Sequence, residues 1–246
     1  MAPKKFFEHD SIEYVMLSDE TLEGGLEVMR KSFFIDENVC IAVELYKYPK
    51  AAKELEALCV RAAKDGASIV AIDKKTNQVI GAAFNKMQIK GNPEDSHYFE
   101  TFASTLKEPA SKSLVMFMKE ADESYNLFEK CDVDCLLEIM FLATLKEYRG
   151  KGIAKKLCEA TIMLGKTLLA GDNIKESISN EPVELEPRPK MTSAIFTSYI
   201  SQKIGSTLGF QLAIALDFNR WSFDGKTYGE RIGPLTPKTT LEYLRL

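Results

Sequence analysis

The sequence has 246 residues, 45% of them hydrophobic and 28% charged, with a formal net charge of −4. That length supplies one well-buried core without a second domain, so the chain reads as a single 1–246 domain. The small acidic excess argues against a nucleic-acid module, which carries a basic surplus. No stretch approaches the roughly 18 apolar residues needed to span a bilayer, and the first ten residues lack the apolar core of a secretory signal. Five cysteines (Cys40, Cys59, Cys131, Cys135, Cys158) are scattered, and only His9 and His97 accompany them. That pattern gives no zinc constellation. It fits free thiols in a reducing, cytoplasmic compartment.

In chain order, residues 12–17 alternate as a first strand. Ser18 and Asp19 offer a helix cap, and Leu22, Leu26 and Met29 start an amphipathic helix running towards Phe33. Gly24 and Gly25 weaken that helix. Two aromatics and an isoleucine then lead into the paired acids Asp36 and Glu37. Desolvation at the edge of an apolar pocket would suit such a carboxylate to base chemistry. On spacing alone, capping the next helix or facing solvent accounts for them better, since adjacent acids at a helix end are common. Residues 51–65 read as a helix with Leu55, Leu58, Cys59 and Ala62 on one face. Residues 68–73 and 79–89 read as a hairpin around a 74–77 turn, followed by a loop over 90–95. A helical stretch interrupted near Pro109 resumes over 111–128, with Phe117, Ala121, Tyr125 and Phe128 at core spacing.

The most informative stretch follows. An apolar run over 136–145, with one acid inside it, reads as a buried strand. A polar turn over 146–151 and Gly152 lead into Ile153, Leu157, Ala160, Leu164 and Leu168, the apolar face of a helix. Strand, glycine turn and helix N-terminus together make a place to hold a pyrophosphate, because the first helical N–H groups are free and glycines admit a ligand closely. Neither G-x-x-x-x-G-K-[ST] nor G-x-G-x-x-G is present. Residues 172–190 are polar, carry three prolines, and read as a loop, a class often found near function. Residues 194–198 form a second buried strand, 198–207 a short helix, 211–217 a strand, and 223–227 a hairpin turn. The last eight residues read as a short helix or as disordered.

Arg149-x-x-Gly152-x-Ala154 resembles the [QR]-x-x-G-x-[GA] acetyl-CoA signature of the GNAT acetyltransferases. More narrowly, three blocks resemble the insect arylalkylamine (dopamine) N-acetyltransferases: F-F-x-D-E at 33–37, the coenzyme loop at 148–154, and a hydroxyl-rich helix closing on L-G-F at 196–210. The resemblance implies an α/β GNAT fold, a central mixed twisted sheet flanked by helices, in which two parallel strands splay to admit the cofactor. Here these would be the strands ending at Thr144 and near Thr197. It implies acetyl-CoA as cosubstrate and no metal, held by Leu142, Ala143, Thr144, Arg149, Gly150, Lys151, Gly152, Ile153 and Ala154. It makes Glu37 the general base, and places the hydroxyls of Thr197 and Ser201 near the thioester; a hydroxyl in Ser201's helical position can equally bond its own backbone. Backbone N–H near Ala143 would polarise the carbonyl.

The implied substrate is a small arylalkylamine (dopamine, serotonin, tyramine or octopamine), handled by a monomer or weak dimer without nucleic acid or membrane. Acetylation of another amine (polyamine, agmatine, histamine) and acyl-CoA binding without catalysis are the alternatives. The chain departs from the family at Asn38 and Val39, where the family continues with P-L. It also lacks the proline–histidine pair near 233–237, and Ile200-Ser201 replaces a Tyr-Ser pair. These positions surround the acceptor.

Overall fold

The computed structural model describes residues 4–91, 98–179 and 181–246. Its strands are β1 (Lys5–His9), β2 (Ile12–Met16), β3 (Ile69–Asp73), β4 (Gln78–Ile89), β5 (Cys135–Thr144), β6 (Met191–Phe196), β7 (Gln211–Asp217), β8 (Ser222–Phe223), β9 (Lys226–Thr227) and β10 (Lys238–Arg245). The helices are α1 (Asp19–Val28), α2 (Phe34–Asp36), α3 (Asn38–Ala42), α4 (Pro49–Ala63), α5 (Tyr98–Thr105), α6 (Pro109–Glu123), α7 (Leu127–Cys131), α8 (Ile153–Ala170), α9 (Tyr199–Leu208) and α10 (Tyr228–Ile232). Eight strands form one sheet in the order β1-β2-β3-β4-β5-β6-β10-β7, and β8-β9 stand apart as a small hairpin. Every pairing in the large sheet is antiparallel except β5 with β6.

Helices cover both faces of the sheet, as apolar strands such as β5 require. Under α1, Gly25 sits on Leu17 and Phe84, and a Cβ on Gly24 would come within 2.6 Å of Val79. The two glycines that weaken the helix in sequence terms are therefore what lets α1 lie close against β4. On the other face, Ile153 and Leu157 of α8 rest on Gly81. Pro109 does not interrupt a helix but starts one, at the first helical positions of α6, where its missing N–H costs nothing.

One strand is added to the sequence reading and two expectations are corrected. Residues 5–9 form an edge strand, missed because Lys5, Glu8 and His9 are exposed and the segment lacks clean alternation. The chain's last segment is neither helix nor disordered: β10 lies between β6 and β7 and pairs with both along most of its length. The 172–190 loop is tied to the sheet side of the protein, the Glu176 N–H donating to the Gly66 carbonyl at 3.0 Å and the Lys190 N–H to the Cys135 carbonyl at 3.0 Å. None of its described residues lines the cleft described next. Part of the 90–95 loop lies outside the described residues. All five cysteines are buried thiols.

Candidate active site

The parallel pairing of β5 with β6 lasts for three residue pairs, Leu137 with Thr192, Glu138 with Ser193 and Ile139 with Ala194. Beyond Ile139 the two strands part, while β5 stays paired with β4 up to Thr144 opposite Gly81. A register shift on the β4 side, where Phe84 faces Phe141 and Asn85 faces Ile139, makes Met140 an extra residue at the fork. The β6-facing edge of β5 from Met140 onward thus has no strand partner; side chains take the Thr144 carbonyl at its end, and the edge before it is open to a ligand. A cavity of about 850 Å³ fills the fork.

The glycine loop closes one end of this cavity. Gly150 (φ +77°) and Gly152 (φ +76°) adopt the left-handed conformation that side-chain-bearing residues avoid. A Cβ at either position would meet nothing within 4 Å. Gly152 caps α8, whose first turn has neither an acidic residue nor a side-chain cap. Its orphan N–H groups and positive dipole end suit a pyrophosphate. Of the residues the sequence assigns to the cofactor, Leu142, Ala143, Thr144, Arg149, Gly150, Gly152, Ile153 and Ala154 all line the cavity. Lys151 is not among the lining residues; its ammonium sits 4.7 Å over the Tyr148 ring. The Arg149 side chain turns back onto the protein. Its guanidinium meets Asp36 Oδ2 at 2.9 Å and donates to Ser32 Oγ at 2.6 Å and to the Thr144 carbonyl at 3.3 Å. Ser32 donates in turn to that same carbonyl at 2.8 Å. Arg149 therefore fastens the loop to the end of β5 and to the turn carrying the paired acids.

Those acids sit at the opposite wall. After α1 the helix widens into a π turn over Met29–Phe33, a feature frequent at functional sites, and the backbone becomes extended at Glu37. Glu37 caps α3, accepting from the Cys40 N–H at 2.8 Å through Oε2. Its other oxygen accepts from Thr197 Oγ1 at 2.6 Å, and Asn38 Nδ2 donates to the Thr197 carbonyl at 2.6 Å. Both sequence readings of Glu37 therefore describe the same side chain: it caps a helix and it lines the cavity. Asp36 instead pairs with Arg149.

Thr197 and Ser201 also line the cavity. Ser201 belongs to the capping box of α9: its Oγ lies 2.9 Å from Ser198 Oγ and donates to the Ser198 carbonyl at 2.9 Å. Phe33 lines the cavity and packs edge-on to Phe141, whereas Phe34 is core. Cys158 lies inside α8 with no exposure, and burial pushes its thiol up to about 12, so it is not a nucleophile. Three site residues escaped the sequence reading: Ser32, Asn38 as a bridge to Thr197, and Glu138 on β5. Glu138 is the acid inside the apolar run, and that anomaly was its signal.

Solved structures share this fold. The chain superposes on arylalkylamine N-acetyltransferase 2 from Aedes aegypti with a TM-score of 0.75 and 23% identity, covering 96% of this chain and 99% of that one. The fold is that of the GNAT acetyltransferases. The polyamine N-acetyltransferase of Drosophila melanogaster, described as forming N-acetylagmatine, matches at a TM-score of 0.72 and 15% identity over 96% and 100% of the two chains. A mutant agmatine N-acetyltransferase in its apo form matches at 0.75 and 15% over the same shares. No family model matches the sequence, and no curated protein matches it. The fork between β5 and β6 is thus the splayed pair expected of a GNAT sheet. No helix among the described residues is long and apolar enough to cross a membrane, and no group of three or more potential metal ligands occurs among them.

Proposed function

We propose that this GNAT chain is an N-acetyltransferase that moves acetyl from acetyl-CoA directly to the primary amine of an arylalkylamine of the dopamine, serotonin, tyramine or octopamine type. The observation that carries the reading is the placement of Glu37 on Thr197, across a forked sheet whose other end is a glycine cradle. Acetyl-CoA supplies an activated thioester. The cradle fits its pyrophosphate, because two left-handed glycines leave open space beside a helix N-terminus.

An alkylamine, with a pKa near that of lysine at ~10.4, arrives as a cation. Glu37 attracts it and takes its proton, directly or through a water, so that the nitrogen lone pair becomes nucleophilic. Thr197 and the Cys40 N–H hold the carboxylate in place. Backbone N–H groups on the open edge of β5, around Ala143, face the position where carbonyl charge develops. Ser201 and Tyr199 both line the cavity, and a hydroxyl of this kind would return a proton to the departing thiolate. Phe33, Leu114, Phe117, Met118 and Phe141 give the acceptor end apolar walls, suited to an aryl ring.

The test is acetyl-CoA-dependent thiol release with a panel of arylalkylamines and polyamines, for the wild type and Glu37→Ala. Turnover of tyramine or dopamine that collapses in the variant supports the reading. Turnover with polyamines alone keeps the chemistry and moves the substrate. Tight acetyl-CoA binding without turnover of any amine refutes the enzyme and leaves an acyl-CoA-binding protein.

A further inference from the structure

One cavity-lining group has no part in the chemistry above. Glu138 is 2% exposed, in the middle of β5, and it lines the same cavity as Glu37. Among the described residues its carboxyl makes one hydrogen bond, accepting from Gln88 Nε2 at 2.6 Å through Oε2. The cation opposite it on β4 is Lys86, whose ammonium is committed to Asp65 Oδ2 at 2.9 Å. Burial, followed by the charge of Asp122 on α6, pushes the Glu138 carboxyl far above the usual carboxylate range, against a lowering pull from Gln88 and Lys86. A buried carboxyl held in this way is expensive unless a further partner meets it.

Its position relative to the reaction centre follows from the register. Glu138 lies opposite Ser193, and Thr197, which holds Glu37, is four residues further along the chain. Four residues of strand span about 13 Å. An ethylamine chain, one aromatic ring and a hydrogen bond at each end fill that span. The walls between are apolar and partly aromatic, formed by Leu114, Phe117, Met118 and Phe141. A second ammonium would have to cross these apolar walls with little to solvate it along the way. A ring hydroxyl, by contrast, places an apolar body against apolar walls and a single donor at the carboxyl.

We propose that Glu138 is a specificity-determining residue whose carboxyl hydrogen-bonds the ring hydroxyl of a phenolic or catecholic ethylamine bound with its amine at Glu37. This rests on the acceptor reading of the cavity given above, and its test is built to fail separately. The probes are tyramine and phenethylamine, which differ only in the ring hydroxyl. Their binding is measured by calorimetry on the full chain saturated with CoA, so no turnover is needed. Wild type binds tyramine more tightly by about 10–100-fold, the value of one hydrogen bond to a buried group short of partners.

Glu138→Leu removes the preference, weakening tyramine and tightening phenethylamine. Glu138→Gln keeps an acceptor and retains part of the preference, which separates recognition from a folding defect. Equal affinities in wild type, a preference that survives Glu138→Leu, or no binding of either amine overturns the proposal. So does tight binding of putrescine or agmatine lost in Glu138→Leu, which would make the carboxyl a cation site. If thiol release fails with every amine while the tyramine preference and its loss are observed, recognition stands and the enzyme reading falls.

Discussion

Replacing Glu37 by Gln separates what this side chain does for the fold from what it does for the reaction. The carboxamide keeps an oxygen for the Cys40 N–H, and its NH2 faces Thr197 Oγ1, which turns from donor to acceptor. Both structural bonds therefore persist. Glu37→Ala loses both, at about 1 kcal/mol each, and should lower Tm by roughly 4–8 °C. The catalytic loss is set by the amine. At neutral pH, an amine of pKa ~10.4 is uncharged in roughly one molecule in 2,500, a deficit of about 4.6 kcal/mol. A positioned base recovers on the order of 10²–10⁴ in rate. Glu37→Gln should thus reduce kcat/KM for tyramine by that factor with Tm almost unchanged. Its kcat/KM should then climb close to tenfold per pH unit towards the pKa of the amine, while the wild-type profile is flatter. Thiol release measured across pH, with melting curves on the same samples, reads both quantities. A Glu37→Gln profile that parallels the wild type at the same height would refute the base assignment.

The glycine cradle gives a second expectation. Gly152→Ala places a methyl in open space at a left-handed backbone, costing about 1–2 kcal/mol of stability. KM for acetyl-CoA should rise at least tenfold while KM for the amine changes little, as initial-rate kinetics with each substrate varied would show. Arg149→Ala removes a half-exposed ion pair to Asp36, together with bonds to Ser32 and the Thr144 carbonyl. The ion pair contributes at most about 1 kcal/mol, so the variant should stay folded by thermal melting and lose affinity for acetyl-CoA in direct titration. Glu138 supplies a pH test of stability. Its carboxyl is raised in the folded state, so the native chain holds a proton that the unfolded chain has released. Stability then falls as pH rises from the ordinary glutamate value towards the raised one. The Tm advantage of Glu138→Gln over wild type should therefore grow from about pH 5 to about pH 8; an advantage independent of pH would contradict the assignment.

The middle of the chain was the most legible because two strong signals meet there. The apolar run of β5 gives way to the helical spacing of α8 across two glycines, and each has a single physical reading. The block ending in Glu37 was legible only through resemblance. Its spacing favours a cap over a base, and the structure shows that the cap is real. β1 was hidden because an edge strand needs no buried face, and β10 because three of its four consecutive buried residues, Thr239, Thr240 and Glu242, are polar. Asn38 and Ser32 carry no signal of their own. Each matters because it reaches a backbone carbonyl more than a hundred residues away, on an element whose position follows only from the assembled sheet.

The seam at Thr197 has a mechanical consequence. Where the β5–β6 ladder stops, the end of β6 is tied instead to the segment between α2 and α3 by the Glu37 and Asn38 side chains on Thr197, and that segment reaches the end of β5 through Ser32 and Arg149. A ladder of backbone bonds opens only cooperatively, whereas two side-chain bonds worth about 0.5–1.5 kcal/mol each can part without disturbing either strand. The width of the fork is then a thermally accessible variable, with a parted population on the order of 1–10%. A ligand can come and go through such a seam while the sheet around it stays folded, and Thr197, which bonds both side chains, also sets how often the passage is open.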